Sequence, residues 1–210
     1  MKLRPLVEEM SVLRRARDHG LDVTFANAYP KGWPGPGGSR RIAAPPLAAR
    51  GAGVLTRHEE ALGRGEAVSS EIVNDGWRRH LGHEWLPEVT PEDAGVNLAR
   101  IAAGHHLTLY AHYATDTAGH KKSMKEAVAA LERVDRFFGG LLTALPDDTL
   151  VFVASDHGNI EDIGAGHTTN PALGIAHGPG AKEAAGLTDI REAAGFVLGR
   201  LGVTGSSVGL

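Results

Sequence analysis

Three Gly-punctuated stretches in the second half of this chain place carboxylates and imidazoles at spacings suited to a divalent cation. They are His112-Tyr113-Ala114-Thr115-Asp116-Thr117-Ala118-Gly119-His120, Ser155-Asp156-His157-Gly158-Asn159-Ile160-Glu161-Asp162, and Gly164-Ala165-Gly166-His167-Thr168-Thr169-Asn170-Pro171. An ion such as Mn²⁺ or Zn²⁺ takes imidazole nitrogen and carboxylate oxygen. The chain has no cysteine, so thiolate sites and disulfides are excluded. Asp116 and His120 reach one ion if the intervening Thr-Ala-Gly makes a single turn. Asp156 and His157 point to opposite sides while the chain is a strand, but both can grip one ion where the chain leaves it. Two such ions about 3.5–4 Å apart would clamp the attacking and leaving oxygens of a phosphoryl group. Taken singly, Asp-x-x-x-His and Asp-His-Gly are weak signals, since each also occurs as an ordinary turn. Their conjunction in order carries the argument. His105, His106 and His112 read as strand-flanking or outer-sphere residues, and His58, His80, His83 and His177 as surface or structural ones.

Ligands in open α/β sheets gather at the carboxyl ends of strands, so the elements preceding these loops matter most. The runs Leu107 to Ala111 and Leu150 to Ala154 read as strands. The second is continuously apolar, as expected of a strand buried on both faces of a parallel sheet. Leu173 to Ala176 reads as a further short strand. Thr90-Pro91-Glu92-Asp93 has a capping residue, Pro at the first helical position and an acid three residues after the cap, opening a helix to about Ala103. Ser123 to Leu142 reads as a long amphipathic helix with Ala127, Ala130, Leu131, Val134, Phe138, Leu141 and Leu142 on its apolar side. Asp189-Ile190-Arg191-Glu192 resembles a capping box opening a last helix to about Leu201. Near the N-terminus, Leu6 to His19 reads as one helix stopped by Gly20, followed by a strand from Leu21 to Ala26. Asn27 to Gly53 is rich in Pro and Gly and reads as an irregular excursion, with an exposed, mobile stretch from Tyr29 to Gly38 near the mouth of the site. Helical turns are expected near Arg57–Leu62 and Glu71–Leu81. Alternating strands and helices predict an α/β sandwich around a mainly parallel sheet. The expected organisation is one domain over residues 1–210, with 27–87 an irregular insertion or lid and 88–210 the metal-binding core.

The 210 residues are 42% hydrophobic but only 5% aromatic, so the core must rest on Ala, Leu, Val and Ile. A formal net charge of −3 offers no basic face for nucleic acid. No apolar run approaches the roughly 20 residues needed to span a bilayer, and Met1 to Glu9 lacks signal-peptide character. The expectation is a cytoplasmic protein that binds neither nucleic acid nor membrane.

The motifs Asp116-Thr-Ala-Gly-His120, Ser155-Asp156-His157-Gly158-Asn159 and His167-Thr168-Thr169-Asn170-Pro171 together resemble the C-terminal half of cofactor-independent phosphoglycerate mutase and its metalloenzyme relatives in the alkaline phosphatase superfamily. The resemblance runs from about Leu107 to the C-terminus and is highly specific when the three motifs are taken in order. It implies an alkaline-phosphatase-like, three-layer α/β sandwich. It also implies two divalent ions, Mn²⁺ or Zn²⁺, and phosphomutase or phosphohydrolase chemistry on a small phosphorylated or related ester. Residues matching Asp116, His120 and His167 hold one ion in that family, and those matching Asp156 and His157 contribute to the second. Asn159 and Thr168 are candidates for outer-sphere or substrate contacts. The implied reaction is nucleophilic attack on phosphorus with the ions stabilising charge on the oxygens. The family also has an N-terminal strand ending in a ligand Asp and a Ser or Thr nucleophile at a helix start, and neither pattern is found in this chain. Asp22 stands at the wrong end of its strand, and Ser69 and Ser70 lie in a polar segment with no strand before them, so no catalytic residue is assigned. The expectation is therefore an N-terminally incomplete domain with an incomplete second metal site. The alternative is a non-catalytic metal-binding remnant or a subunit completed by another chain; the partners expected besides the substrate are a completing chain or further copies in a homo-oligomer.

Overall fold

The structure is a computed structural model that describes residues 3–35, 38 and 42–203. Pro36 and Gly37 of the Pro/Gly-rich stretch, and Ser39 to Arg41 beyond it, lie outside the described residues.

The chain begins with two helices where one was expected, α1 (Arg4–Met10) and α2 (Val12–Asp18). Ser11 makes the break. Its backbone is extended, and its hydroxyl accepts from the Arg14 N–H, so it caps α2 instead of continuing α1. Strand β1 (Val23–Phe25) follows. The excursion after it holds a helix that its two prolines had hidden, α3 (Ala44–Gly51), with Pro45 and Pro46 in the first turn, where a missing N–H costs nothing. Short helices α4 (Glu59–Gly63) and α5 (Asp75–His80) occupy the next stretch. The regular part is α6 (Pro91–Ala102), β2 (Leu107–Leu109), α7 (Ala114–His120), α8 (Met124–Ala144), β3 (Val151–Ala154), a 3₁₀ turn at Ile160–Asp162, β4 (Gly174–His177), α9 (Ala181–Ala184) and α10 (Ile190–Arg200). Thr90 caps α6 by accepting from the Asp93 N–H, Ser123 caps α8, and Asp189 with Glu192 forms a complete capping box on α10.

Two small sheets are present among the described residues. β1 and β2 pair in parallel, Val23 opposite Leu107 and Phe25 opposite Leu109. β3 and β4 pair antiparallel, Val151 opposite His177 and Ala154 opposite Gly174. The expectation that Leu150 to Ala154 lies buried on both faces of a parallel sheet is thus corrected. The run is half-buried and its paired neighbour runs the other way. Val151 packs on the main core and Phe152 on Phe196 of α10, with ring centroids 5.3 Å apart. An apolar run marks burial without specifying which partner supplies it.

The main core lies where α6 crosses α8. Ala94, Leu98 and Ile101 meet Phe137 and Leu141, and Ala26 and Val68 close it from the β1 side. Phe137 and Leu141 are 3% and 4% exposed, and burial on that scale stabilises the fold by about 1.5–3 kcal/mol per side chain. The apolar side expected for α8 needs one correction. Leu131 and Leu142 are 49% and 41% exposed, and Phe137 takes the buried position instead. Positions 127, 130, 134, 137 and 141 form the inward stripe, while Met124, Val128, Leu131 and Leu142 form a second one turned outward. A second core joins Leu13, Phe25, Ala49 and Ala111, and a smaller one ties α2 to α10 through Ala16 and Leu198. The rings of Tyr29 and Trp33 in the Pro/Gly-rich stretch pack at 4.3 Å, tilted by 40°, and Tyr29 packs against the second core. Among the described residues no helix is long and apolar enough to cross a membrane.

Candidate metal centre

The exit of β2 is set by a residue that sequence reasoning passed over. Asn27, fully buried, follows β1 and uses its side-chain amide as a strand would use its backbone. Nδ2 donates to the Ala111 carbonyl at 2.7 Å, and Oδ1 accepts from the Ala111 N–H at 2.8 Å. This fixes the chain at the point where it turns toward α7. His112 is then drawn inward, its Nδ1 2.8 Å from the Ser70 carbonyl, and burial holds its pKa below the usual imidazole value. It contributes no atom to the cluster described next.

Helix α7 performs the single turn that joins Asp116 to His120. Residues four apart share a helix face, and Asp116 Oδ1 lies 3.5 Å from His120 Nε2. The third motif arrives from the other side. His167 Nε2 is 3.5 Å from the same Oδ1 and 3.1 Å from His120 Nε2. The three donor atoms thus form a triangle with sides of 3.1, 3.5 and 3.5 Å, although the residues are up to 51 positions apart in the chain. Zinc–nitrogen and zinc–oxygen bonds are about 2.0–2.2 Å, which puts neighbouring donors of a tetrahedral ion about 3.3–3.5 Å apart. The donor set and its spacing fit such an ion. The open side of the triangle leaves room for water or a substrate oxygen, since all three side chains are partly exposed.

Asp156 and His157 stand just past the end of β3, where the alternation of a strand no longer holds. Their side chains lie close together, with Asp156 Oδ1 3.6 Å from His157 Nε2. The same Nε2 is 3.9 Å from Asp116 Oδ1, and the His157 ring stacks on His167 with centroids 3.8 Å apart. His157 therefore stands between the two carboxylates. Asp156 is the outermost member, its side chain 85% exposed. The Tyr113 phenol lies near enough to feel it. Burial pushes the Tyr113 pKa up, and the Asp156 charge pushes in the same direction.

Asn159 and Thr168 both sit behind the donor atoms. Asn159, 4% exposed, donates from Nδ2 to the Asp116 carbonyl at 3.1 Å and to Asp116 Oδ1 at 2.5 Å. Its amide also lies flush against Gly119, where any Cβ would collide with it. Thr168 bridges the second and third motifs. Its N–H donates to the Gly158 carbonyl at 2.9 Å and its hydroxyl donates to Glu161 Oε1. With that proton committed, Thr168 is a link between loops in this structure.

Two imidazoles and a carboxylate, brought together by helix α7 and the loop that follows the 3₁₀ turn, form a donor set suited to a metal-binding domain. The sequence model of the metalloenzyme superfamily matches residues 94–203, just over half of the chain, and the chain belongs to that superfamily. Over about half of its length it is homologous to 2,3-bisphosphoglycerate-independent phosphoglycerate mutases. The protein of that name from Cereibacter sphaeroides (strain ATCC 17029 / ATH 2.4.9) is 34% identical over 121 residues, 51% of this chain and 24% of the relative. That from Halobacterium salinarum is 33% identical over 117 residues, 50% of this chain and 23% of the relative. That from Natronomonas pharaonis is 38% identical over 93 residues, 40% and 18% respectively. The chain spans about a quarter or less of the length of these relatives. No solved structure matches it.

Proposed function

We propose that this chain is a divalent-metal-dependent domain of phosphoryl-transfer or phosphate-ester hydrolase type, acting on a small phosphorylated substrate. The observation that carries this is the donor triangle of Asp116, His120 and His167. Those three residues would hold one Mn²⁺ or Zn²⁺, and Asp156 with His157 would face a second. When bound, the ions supply Lewis-acid stabilisation of charge on the phosphoryl oxygens. The chain's own residues do the rest. Asn159 orients the Asp116 carboxylate, α7 fixes the angle between Asp116 and His120, and His157 stacks on His167 to hold its ring. The phosphoglycerate mutase homology supports a small phosphorylated ester as substrate. In the same reading residues 1–210 are one unit, with 27–87 an insertion or lid and 88–210 the metal-binding core. Both small sheets then belong to the central layer of an alkaline-phosphatase-like three-layer sandwich.

A second reading is a metal-binding module that turns over only when completed by a further polypeptide. It is favoured by the outward apolar residues Met124, Val128, Leu131, Leu173 and Ile175, each more than 40% exposed. Met124, Val128 and Leu131 share one face of α8, and a contiguous exposed apolar face suits contact with another protein surface.

The test is metal content and turnover of an activated phosphate ester with added Mn²⁺ or Zn²⁺, comparing the chain with Asp116→Ala and His167→Ala. The proposal expects bound metal, and any turnover, to be lost in both variants. Metal content indifferent to both would refute the site. Metal uptake without turnover selects the second reading.

A further inference from the structure

The loops that carry His157 and His167 are separate excursions, and one side chain outside the donor set ties them together. Glu161, on the 3₁₀ turn, receives three hydrogen bonds. The Asn159 N–H donates to Oε2 at 2.6 Å, the Asn170 amide donates to Oε1 at 3.1 Å, and the Thr168 hydroxyl donates to Oε1. The first partner belongs to the second motif, and the other two follow His167 in the third. The Thr168 N–H closes the same contact by donating to the Gly158 carbonyl. Gly158 is required for this approach, because a Cβ there would collide with both Thr168 Oγ1 and Glu161 Oε1. Among the described residues no hydrogen bond joins Glu161 to His167 itself. Its ring is placed by the backbone of a loop that Glu161 holds one residue and three residues further on.

We infer that Glu161 is a positioning residue for the metal centre, a carboxylate clip that holds the His167 loop against the Asp156–Asn159 loop so that His167 completes the triangle with Asp116 and His120. The inference rests on the metal-site reading above. It is a chemical role for a carboxylate and not only for bulk. Three donors converge on the two oxygens of one group, and a carboxylate accepts all three without presenting a donor of its own. Glutamine can accept from Thr168 and Asn170 through its one oxygen, but its amide nitrogen meets the Asn159 N–H donor to donor. Glu161→Gln should therefore retain part of the clip, and Glu161→Ala none.

The experiment is Zn²⁺ affinity of the full chain measured by competition with a chelating dye, together with the visible spectrum of the Co²⁺-loaded protein. The variants are Glu161→Ala, Glu161→Gln, His167→Ala and the Glu161→Ala/His167→Ala double. Loss of partners that orient a metal ligand weakens binding about 10–100-fold. Glu161→Ala is expected in that range, with an altered Co²⁺ spectrum, and Glu161→Gln between it and the parent. In the His167→Ala background, Glu161→Ala should cause no further loss, because the residue acts through His167. A general folding defect would instead lower affinity equally in both backgrounds, and that result overturns the clip, as does unchanged affinity in Glu161→Ala beside a weak His167→Ala. Should Glu161→Ala fail to fold, the comparison passes to Glu161→Gln with and without His167→Ala. A parent chain that takes up no Zn²⁺, or is indifferent to His167→Ala, defeats the metal-site reading itself and this role with it.

Discussion

Asp116 and Asp156 are two carboxylates beside the same imidazoles, and the fold treats them differently. Asp116 lies on a helix, which fixes its angle to His120, and its Oδ1 accepts from Asn159 at 2.5 Å. Oδ1 of Asp116 faces the Nε2 atoms of His120, His157 and His167 at 3.5, 3.9 and 3.5 Å. Asp156 sits on a loop with its side chain 85% exposed and has one neighbour in the cluster, His157 at 3.6 Å. A ligand held in place before the ion arrives loses little freedom on binding, whereas an exposed one must be ordered at that moment. The two motifs look equivalent in sequence, but one has an orienting partner and a rigid element, and the other has neither.

The largest expected effect follows directly. Asp116→Ala should lower Zn²⁺ or Mn²⁺ affinity by more than about 100-fold, beyond the 10–100-fold typical of orienting partners, as read by calorimetric titration. Asn159→Ala should fall within that 10–100-fold range, and Gly119→Ala should imitate it by pushing the amide away from Asp116. Asp156→Ala should cost about 10-fold or less at the first ion, with its effect confined to a second, weaker binding event. Equal losses for Asp116→Ala and Asp156→Ala would erase the contrast. A larger loss for Asp156 would invert the assignment.

The same contrast shows what the amino-acid order makes legible. Local signals translated well. The caps Thr90, Ser123 and Asp189 open α6, α8 and α10 within a residue of expectation, because each cap bonds an N–H two or three positions away. Helices α3, α7 and α9 have no side-chain cap and were not anticipated as helices, although one turn between Asp116 and His120 was required by the chemistry. Ser11 falls inside the expected Leu6–His19 helix because capping depends on a backbone conformation that composition does not show. Partner choice was least legible. Nothing within Leu150–Ala154 says that its neighbour runs antiparallel, and nothing within α8 says which of its two apolar stripes meets α6. In the site, the donor residues announce themselves by type and spacing. Asn27 does not, because its role is a contact 84 positions away. Glu161 reads as part of an acidic loop until Thr168 and Asn170 are seen to fold back onto it.

The smallest expected effect concerns the apo chain and separates a built carboxylate from a free one by pH. Hydrogen bonds from the Thr168 hydroxyl above all, then from its own backbone N–H, from Asn170 and from the Asn159 N–H, hold the Glu161 carboxyl at about 2, against an ordinary value of 4.5. A group whose pKa is lowered by folding stabilises the native state above its unfolded value, and that contribution is lost as pH falls through the folded value. Stabilisation by Glu161 should therefore be complete above about pH 4.5 and fade between there and about pH 2. Thermal melts with chelator present should show Glu161→Gln below the parent at pH 7, with the gap closing on acidification across that window. Asp156→Asn, a surface change with no such bonds, should leave the pH 7 midpoint nearly unmoved, within the roughly ±0.5 kcal/mol usual for surface substitutions. A Glu161→Gln gap that stayed constant from pH 7 to pH 2 would mean that glutamine's shape, and not the missing charge, is what disturbs the loop.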